Sequence, residues 1–373
     1  MIVFGAMSGT STDGVDVAAL RVAPDGALHY LGLVSTPFSP HLQRELLALQ
    51  QLPPSLANRA DPLLDLLVAR RDLTDVYSQA CSQLMDLLGL AAADVAGFGV
   101  HGQTIRHRPD LGITFQMIDP ARLSVSTGLT VVSDFRSKDV ALGGQGAPLA
   151  PAFHQAWLAG RGVHGPAGVL NLGGFSNLTL IQGPDQPVLG GDCGPANCWM
   201  DAWALRTTGT PMDIDGVMAA SGAVHPGLLA ALLAHPFFGK GWPKSTGRDD
   251  FTLAVFDDAL SHFPGLSDRA EDVMATLMAL TVESVRQCVP PQVSDLYLCG
   301  GGVMNPVLVS AIEAACPMAT VRRIEDLGLP TQAVEACAFA WMAARTLADQ
   351  PSNCPTVTGA QQSAVLGLIQ SPR

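Results

Sequence analysis

Charged residues are scarce in this chain of 373 residues. Only 14% are Asp, Glu, Lys or Arg, whereas 48% are hydrophobic. This composition is typical of a well-packed globular protein and excludes long disordered segments. Aromatic residues are also few, at 6%, so small aliphatic side chains must fill most of the interior. Because a chain of this length exceeds what one hydrophobic core usually supports, we expect two domains around a ligand cleft.

Basic residues are also few, and long apolar runs are missing. The 21 Lys and Arg residues are outnumbered by 33 Asp and Glu residues, which gives a formal net charge of -12. Such a protein lacks a basic surface for nucleic acid or an anionic membrane, so any phosphate must be held by local groups. No apolar run reaches the roughly 18 residues that a membrane helix needs. Residues 1–7 carry no basic leader, and we expect a cytoplasmic protein.

The cysteines lack both a C-x-x-C pair and a nearby histidine cluster. This pattern predicts reduced thiols and no structural metal site. Each cysteine sits singly in an apolar or Gly-rich context; the eight are Cys81, Cys193, Cys198, Cys288, Cys299, Cys316, Cys337 and Cys354.

Strand-like and helical periodicities alternate along the chain, which predicts an α/β fold. Each half opens with a strand, a turn of small residues and a returning strand, so the sequence contains a weak internal repeat. The predicted strands are residues 2–7, 15–22 and 28–34 in the first half, and 168–172, 178–182 and 186–189 in the second. A Gly- and Pro-rich stretch at 142–148 is interpreted as the crossover. It predicts domains at residues 1–145 and 146–373.

The turn between the first two predicted strands is rich in Ser, Thr, Gly and Asp. Residues 7–16 read Met-Ser-Gly-Thr-Ser-Thr-Asp-Gly-Val-Asp. Glycines let a backbone approach an anion, hydroxyls and N–H groups donate to phosphate oxygens, and carboxylates hold Mg²⁺ directly or through water. The same residue types are common in ordinary turns. The turn by itself therefore leaves a phosphate site and a structural hairpin as alternatives.

Two further turns favour the phosphate hypothesis. Residues 173–177, Gly-Gly-Phe-Ser-Asn, would form a second hairpin, and actin-like ATPases hold the β- and γ-phosphates between two such hairpins. Residues 300–302, all glycine, follow another predicted strand. Their missing side chains would let an adenosine lie flat against the backbone.

Other nucleotide-binding motifs are absent or misplaced. The sequence contains no G-x-x-x-x-G-K-[ST] motif. Residues 97–102 match G-x-G-x-x-G literally, but the first two glycines lie within a predicted strand and no helix follows. We therefore interpret this stretch as a strand and not as a dinucleotide site.

Two carboxylates stand out by their position. Asp192 ends a predicted strand among glycines and precedes a predicted helix; it could be a general base or only a helix cap. Glu335 lies on a long helix among Ala, Val, Cys and Phe, where an acid needs a partner or a function.

Four polar residues are candidates for substrate binding. Arg136 and Arg248 lie in loops and could bind an anionic substrate or form surface ion pairs. His101 and Gln103 follow a predicted strand and are candidate sugar contacts. A hydrogen-bonded structural role is the alternative for His101.

Eight of these stretches, taken in order, resemble the anhydro-N-acetylmuramic acid kinases over nearly the whole chain. They are residues 7–16, 101–104, 134–154, 170–177, 192–197, 245–248, 300–305 and 335–341. The resemblance implies a duplicated actin-like ATPase fold of the ribonuclease H-like type, Mg²⁺ and ATP as cofactors, and a sugar substrate from peptidoglycan recycling. A homodimer is the expected assembly, without nucleic acid or membrane partners.

The resemblance also assigns roles to residues. Water attacks the anomeric carbon of the 1,6-anhydro sugar while the freed O6 takes the γ-phosphoryl group, which yields N-acetylmuramic acid 6-phosphate. Asp192 corresponds to the catalytic base and Glu335 to the acid that positions the water. Mg²⁺ would arrive with ATP, near Asp13, and not at a separate protein metal site. The residues expected to bind the nucleotide are Gly9, Thr10, Ser11, Thr12, Asp13, Gly14, Val15, Asp16, Gly173, Gly174, Asn177, Gly300, Gly301 and Gly302.

Three alternatives remain open from the sequence. One is another sugar or acyl-phosphate kinase of the same fold, in which Glu335 is structural. A second is a non-catalytic actin-like module that binds ATP as a switch. The third is a glycosidase that uses the two carboxylates alone, which the phosphate-binding turns disfavour.

Overall fold

The computed structural model describes residues 1–9, 12–50, 61–183, 186–242, 244–247 and 250–373. The described strands are β1 (Ile2–Met7), β2 (Gly14–Val22), β3 (Leu28–Pro37), β4 (Val95–Val100), β5 (Gln103–Arg108), β6 (Ile113–Met117), β7 (Val131–Ser133), β8 (Ala167–Leu172), β9 (Phe175–Ile181), β10 (Leu189–Pro195), β11 (Asp295–Cys299), β12 (Thr320–Arg323) and β13 (Leu368–Gln370).

The described helices alternate with these strands. They are α1 (Pro40–Gln50), α2 (Pro62–Leu88), α3 (Pro120–Thr127), α4 (Ser137–Ala141), α5 (Ala150–Ala159), α6 (Asn197–Thr208), α7 (Val217–Ser221), α8 (Pro226–Leu233), α9 (Leu253–Ser261), α10 (Ala270–Cys288), α11 (Pro306–Ala315), α12 (Val334–Leu347) and α13 (Pro355–Thr358).

Local sequence signals explain where the long helix α2 begins and ends. The side chain of Asp61 accepts the backbone N–H of Leu64 at 2.9 Å, and a proline occupies the first turn. At the other end Gly89 adopts φ 64, a left-handed conformation that glycine reaches without strain. The helix therefore begins at an aspartate cap and ends at a left-handed glycine.

The chain forms two compact units, residues Met1–Gly162 with Gly328–Arg373, and residues Val163–Leu327. This division differs from the predicted boundary at 145/146. The reason lies in Asp139, a fully buried carboxylate on α4. It accepts the backbone N–H of Gly146 at 2.8 Å, and also hydrogen bonds from Asn353 and Thr358 near the end of the chain. The Gly-rich stretch is thus bound inside the first unit and is not a crossover.

Both units contain a sheet with the same strand pattern. In the first, the order is β13-β7-β4-β1-β2-β3; in the second it is β10-β9-β8-β11-β12. Each begins with three antiparallel strands and continues with two strands parallel to the first. Apart from β13, the two sheets are duplicates. This topology confirms the predicted duplicated α/β fold of the ribonuclease H-like type.

Some predicted elements differ from the observed ones. Strand β10 spans Leu189–Pro195, so residues 186–188 of the predicted strand lie before it. Asp192 lies inside β10 and not at the end of a strand. The turn after β8 contains only Gly173 and Gly174 because β9 begins at Phe175. The hairpin of β5 and β6 was not predicted.

Helix α12 packs directly on the backbone of β1 and β4. A Cβ atom added to Gly5 would lie 2.0 Å from the carbonyl oxygen of Ala336, and one added to Gly99 would lie 2.1 Å from that of Phe339. Real Cβ atoms do not approach backbone so closely, so both positions require glycine. Gly97 and Gly99 therefore belong to a strand, which confirms that the G-x-G-x-x-G match is not a dinucleotide site.

Among the described residues, no single helix has the length and composition of a membrane span. Residues Ile214–Ser221 and Pro226–Leu233 pass such a test only as a pair, and they are bent by 116°. Leu228 and Leu232 of this pair are buried in the core of the second unit.

We expect Gly99→Ala to lower the free energy of unfolding by at least about 2 kcal/mol, because the methyl group would overlap the α12 backbone. Gly160→Ala is the control: its nearest atoms would lie at 3.6 Å, and its φ is -64. Chemical denaturation of both variants measures the difference. Equal stability of the two variants would contradict the packing of α12 on β4.

Candidate active site

In the first unit, the turn after β1 is folded by its own hydrogen bond. The backbone N–H of Thr12 donates to the carbonyl of Gly9 at 3.2 Å, and Thr12 is buried with φ 58. A threonine with positive φ is strained, and such strain is often found at ligand sites. Two predicted nucleotide-binding residues, Thr10 and Ser11, lie outside the described residues.

Buried side chains hold this turn through hydrogen bonds. The Tyr77 hydroxyl, on α2, donates to the Ser8 hydroxyl at 2.7 Å, and Ser8 donates to the carbonyl of Gly102 at 3.3 Å. The Gln103 amide donates to the carbonyl of Gly9 at 3.0 Å. Its contact with the sugar stays a prediction, and its observed contact is with the turn. No hydrogen bond from the described residues reaches its buried Oε1 atom.

Both ring nitrogens of His101 have hydrogen-bond partners within the protein. Its Nδ1 lies 2.8 Å from the Gly102 carbonyl, to which it must donate, so Nε2 is the acceptor for Arg136 Nε at 2.9 Å. Burial first, and the nearby Arg136 charge second, lower the pKa of His101 well below its usual value. A neutral histidine with both nitrogens bonded has none left for a sugar hydroxyl. We therefore replace the predicted sugar contact with a structural role.

Arg136 links His101 to the acidic part of the site. Besides His101, it donates from Nη1 to the Gly146 carbonyl at 2.7 Å. Burial lowers the pKa of Arg136 to about 10, while Glu335 and Asp139 raise it. The guanidinium remains charged at neutral pH and interacts electrostatically with Glu335.

Glu335 is the second residue of α12. Its side chain keeps contact with solvent, yet desolvation by the surrounding protein raises its pKa; Arg136 opposes this shift and Asp16 adds to it. The Asp16 carboxylate accepts hydrogen bonds from Ser35 and from Gln332, just before α12. Burial also raises the pKa of Asp16. Asp16, Arg136 and Glu335 thus form one interacting group of charges in the first unit.

In the second unit, three polar residues form a row across the sheet. Asn171 on β8 is paired with Asn177 on β9, and Asn177 with Asp192 on β10. Paired residues on adjacent strands project from the same face. All three side chains are half-buried between fully buried neighbours, and the two asparagines make no side-chain hydrogen bond to described residues. Asn171 was missed because strand register cannot be read from local sequence.

A β-bulge follows Asp192. Asp192 pairs with Asn177, and the next paired residue is Gly194, opposite Ser176. Cys193 is therefore the extra residue, and bulges of this kind commonly re-aim a neighbouring side chain. The Asp192 carboxylate accepts the Thr246 N–H at 2.7 Å and the Ser245 hydroxyl at 3.2 Å.

Burial decides the protonation of Asp192. Desolvation raises its pKa to about 6, against the two hydrogen bonds from Thr246 and Ser245 that lower it. A carboxylate with this pKa is ionised at neutral pH and is a stronger base than an exposed aspartate, as a general base requires. Arg248, predicted to contact the substrate from the same loop, lies outside the described residues.

The second hairpin and the triple-glycine turn lie side by side. The carbonyls of Gly173 and Gly174 accept backbone hydrogen bonds from the start of α6. A Cβ atom on Gly300, which has φ 85, would lie 2.2 Å from Asn171 Oδ1, and one on Gly302 would lie 2.7 Å from Leu172 Cβ. The structure therefore brings together the predicted residues Gly173, Gly174 and Gly300–Gly302.

Asp201 on α6 is a carboxylate that the sequence interpretation missed. It lies four residues after Asn197, whose amide donates to the carbonyls of Leu172 and Gly173, and residues four apart share a helix face. Burial raises the pKa of Asp201 to about 6, and no hydrogen bond or ion pair from the described part of the chain reaches it. It is a further candidate for nucleotide contact.

Within the described ranges, no three His, Cys, Asp or Glu side chains are grouped as a metal site would require.

Comparison with known proteins identifies the family. Residues 1–372 match the sequence model of anhydro-N-acetylmuramic acid kinase. The chain belongs to this family. Its relatives include the anhydro-N-acetylmuramic acid kinases of Burkholderia orbicola, 46% identical over 99% of this chain and 96% of the relative, and of Bordetella parapertussis, 45% identical over 98% and 94%.

Solved structures of other families resemble the chain only distantly. One is the (R)-2-hydroxyglutaryl-CoA dehydratase component A of Acidaminococcus fermentans, with 10% identity, 92% and 99% coverage and a TM-score of 0.46. Another is a ROK family glucokinase from Streptomyces griseus in complex with glucose and AMPPNP, with 14% identity, 92% and 100% coverage and a TM-score of 0.40. The assignment to the anhydro-N-acetylmuramic acid kinase family depends on neither.

Asp192→Asn should stabilise the protein more at pH 8 than at pH 4.5. The folded-state pKa of about 6 lies above the ordinary aspartate value of 3.8, so the stability that protonation of Asp192 supplies at low pH is lost as the pH rises through 6. Asparagine cannot ionise, and we expect a difference of about 2 kcal/mol between the two pH values. Urea denaturation at both pH values measures it, with Asp268→Asn, at an exposed site, as the control. A pH-independent difference would show that Asp192 is not desolvated.

Proposed function

We propose that this chain is an ATP-dependent sugar kinase that hydrolytically opens 1,6-anhydro-N-acetylmuramic acid and phosphorylates its O6, giving N-acetylmuramic acid 6-phosphate during peptidoglycan recycling. The observation that carries the proposal is the family match over residues 1–372. It is supported by a half-buried carboxylate, Asp192, whose pKa of about 6 suits a general base.

The substrate's chemistry requires two coupled bond changes. In a 1,6-anhydro sugar O6 is bonded to C1, so it has no proton and cannot attack phosphorus until the bridge opens. A water oxygen therefore bonds to C1 as the C1–O6 bond breaks, and Asp192 takes a proton from the water. The released O6 bonds to the γ-phosphorus, and ADP departs. The net reaction consumes one water and transfers one phosphoryl group.

Each unit contains residues that we propose bind the nucleotide. The turn of residues 9–16 and the hairpin of Gly173, Gly174 and Asn177 supply backbone N–H and amide groups for phosphate oxygens. Gly300–Gly302 supply a surface without side chains for the adenosine. The free amides of Asn171 and Asn177 fit a ligand with many acceptor oxygens. Mg²⁺, bound mainly by phosphate and water near Asp13, would neutralise charge on the transferred phosphoryl group.

Glu335 is the proposed positioning acid for the attacking water. Its solvent contact allows it to reach a water molecule, and the Arg136 charge lowers its pKa against the effect of burial. For the sugar's carboxylate, Arg248 is the remaining candidate from the sequence, since Arg136 is already bonded to His101 and Gly146. We further propose a cytoplasmic homodimer without nucleic acid or membrane partners. The net charge of -12 supports the absence of nucleic acid and anionic membrane partners.

The enzyme assay uses ATP, Mg²⁺ and anhydro-N-acetylmuramic acid in H₂¹⁸O. We expect one ¹⁸O at C1 and none in the phosphoryl group of the product, because O6 and not water attacks phosphorus. Asp192→Asn should lower turnover by at least about 10²-fold with unchanged ATP affinity, whereas Asp268→Asn should have no effect. Phosphorylation of an ordinary sugar hydroxyl, with the anhydro sugar left intact, would instead establish the alternative of another sugar kinase.

Glu335→Gln should lower turnover by about tenfold or more while substrate binding survives, because an amide orients water less well than a carboxylate. The loss should be smaller than for Asp192→Asn. The control is Glu313→Gln, at an exposed site on α11. Rate and melting temperature are measured on the same preparation. A changed melting temperature with an unchanged rate per folded molecule would make Glu335 structural.

A further inference from the structure

Helix α10 runs along the bulged end of β10, and successive residues of the strand contact residues of the helix. The Thr281 hydroxyl donates to the carbonyl of Pro195 at 3.2 Å. One step back along the strand, a Cβ atom on Gly194 would lie 3.5 Å from Ser284 Cβ. The next step pairs Cys193 with Cys288, since Cys288 lies one helical turn beyond Ser284. Both cysteines belong to the same buried cluster.

The two thiols interact directly and differ in reactivity. Hydrogen bonding to Cys193 is the largest influence on Cys288; together with hydrogen bonding to Trp242 and the Lys244 charge it lowers the pKa of Cys288. Burial raises the pKa of Cys193. Cys288 is 8% exposed and Cys193 is fully buried. Cys288 therefore has the properties of an attacking thiol, and Cys193 those of a resolving thiol.

We propose that Cys193 and Cys288 form a peroxide-sensitive modification site whose disulfide switches off the neighbouring base Asp192. The consequence for catalysis rests on the proposed function of Asp192. Cys288 attacks a peroxide oxygen, the O–O bond breaks, and a sulfenic acid and one water form. Cys193 then attacks the Cys288 sulfur and releases a second water. Two thiols are oxidised by two electrons, and one hydrogen peroxide is reduced to two waters.

The bulge couples the disulfide to the base. A disulfide brings its two Cβ atoms to about 3.8 Å and imposes a fixed dihedral angle, and Cys193 is the unpaired residue of the bulge beside Asp192. Asp192 is held from the other side, through its N–H to the Lys244 carbonyl at 2.8 Å and its carboxylate to Thr246. Movement of the bulge changes the direction of the carboxylate, and a displacement of about 1 Å can reduce catalysis by about 10²-fold.

The test treats the full-length enzyme with hydrogen peroxide and then with dithiothreitol. We expect a peptide that joins Cys193 to Cys288, a loss of turnover of at least tenfold, and recovery on reduction. Cys288→Ser should keep its basal turnover and resist peroxide. Cys316→Ser, which removes another buried thiol of the same unit, should be inactivated like the unsubstituted enzyme. Cys288→Ala replaces Cys288→Ser if the serine variant folds poorly.

Three results would overturn the proposal: no joined peptide, a joined peptide with full activity, or equal peroxide sensitivity of the Cys288 variants. Peptide mapping does not depend on kinase activity. Absence of the joined peptide therefore counts against the thiol pair alone, whereas a reduced enzyme that fails to phosphorylate the anhydro sugar counts against the proposed function.

Discussion

The contact between helix α12 and the glycines of β1 and β4 determines the geometry of the first unit's site. Because Gly5 and Gly99 have no side chains, the carbonyl oxygens of Ala336 and Phe339 lie close to the backbone of β1 and β4. The helix therefore cannot slide or rotate without a clash. Glu335 is one residue before Ala336, so the backbone of Glu335 is held in place by the same contact. The same packing brings the end of the chain back to the unit that contains its beginning.

From this helix a series of contacts reaches Ser8, at the start of the turn after β1. The ring of Phe339 contacts that of His101 in a tilted arrangement, with centroids 4.7 Å apart, and His101 joins Arg136 to the Gly102 carbonyl. Ser8 donates to that same carbonyl and accepts from the buried Tyr77. Because buried polar groups are costly to leave unbonded, each member of this series restricts its neighbours. Ser8 and the guanidinium of Arg136 are consequently parts of one network of contacts.

The sequence predicted those features that depend on local pattern. Alternation and apolar runs predicted β1, β4 and β8, and glycines within a strand pattern correctly argued against a dinucleotide site at 97–102. Features that depend on distant pairing were beyond it. The row of Asn171, Asn177 and Asp192 requires the register of three strands, and the division into units requires the contacts of Asp139 with residues more than two hundred positions away. His101 was assigned to the sugar because a sequence does not show that Arg136 occupies its free nitrogen.

The two carboxylates of the proposed mechanism achieve raised pKa values by different balances. No cation in the described part of the chain influences the pKa of Asp192, which accepts hydrogen bonds only from neutral groups there. Desolvation therefore dominates, and the pKa rises to about 6. Glu335 is subject to desolvation too, but the Arg136 charge opposes the rise and Asp16 restores part of it. A base must gain a proton from water during the reaction, which favours the environment of Asp192. An acid that only orients water works better in its charged form, and the Arg136 charge favours that form of Glu335. Among the described residues, an arginine influences the pKa of Glu335 and none influences that of Asp192, which fits the proposed division of roles.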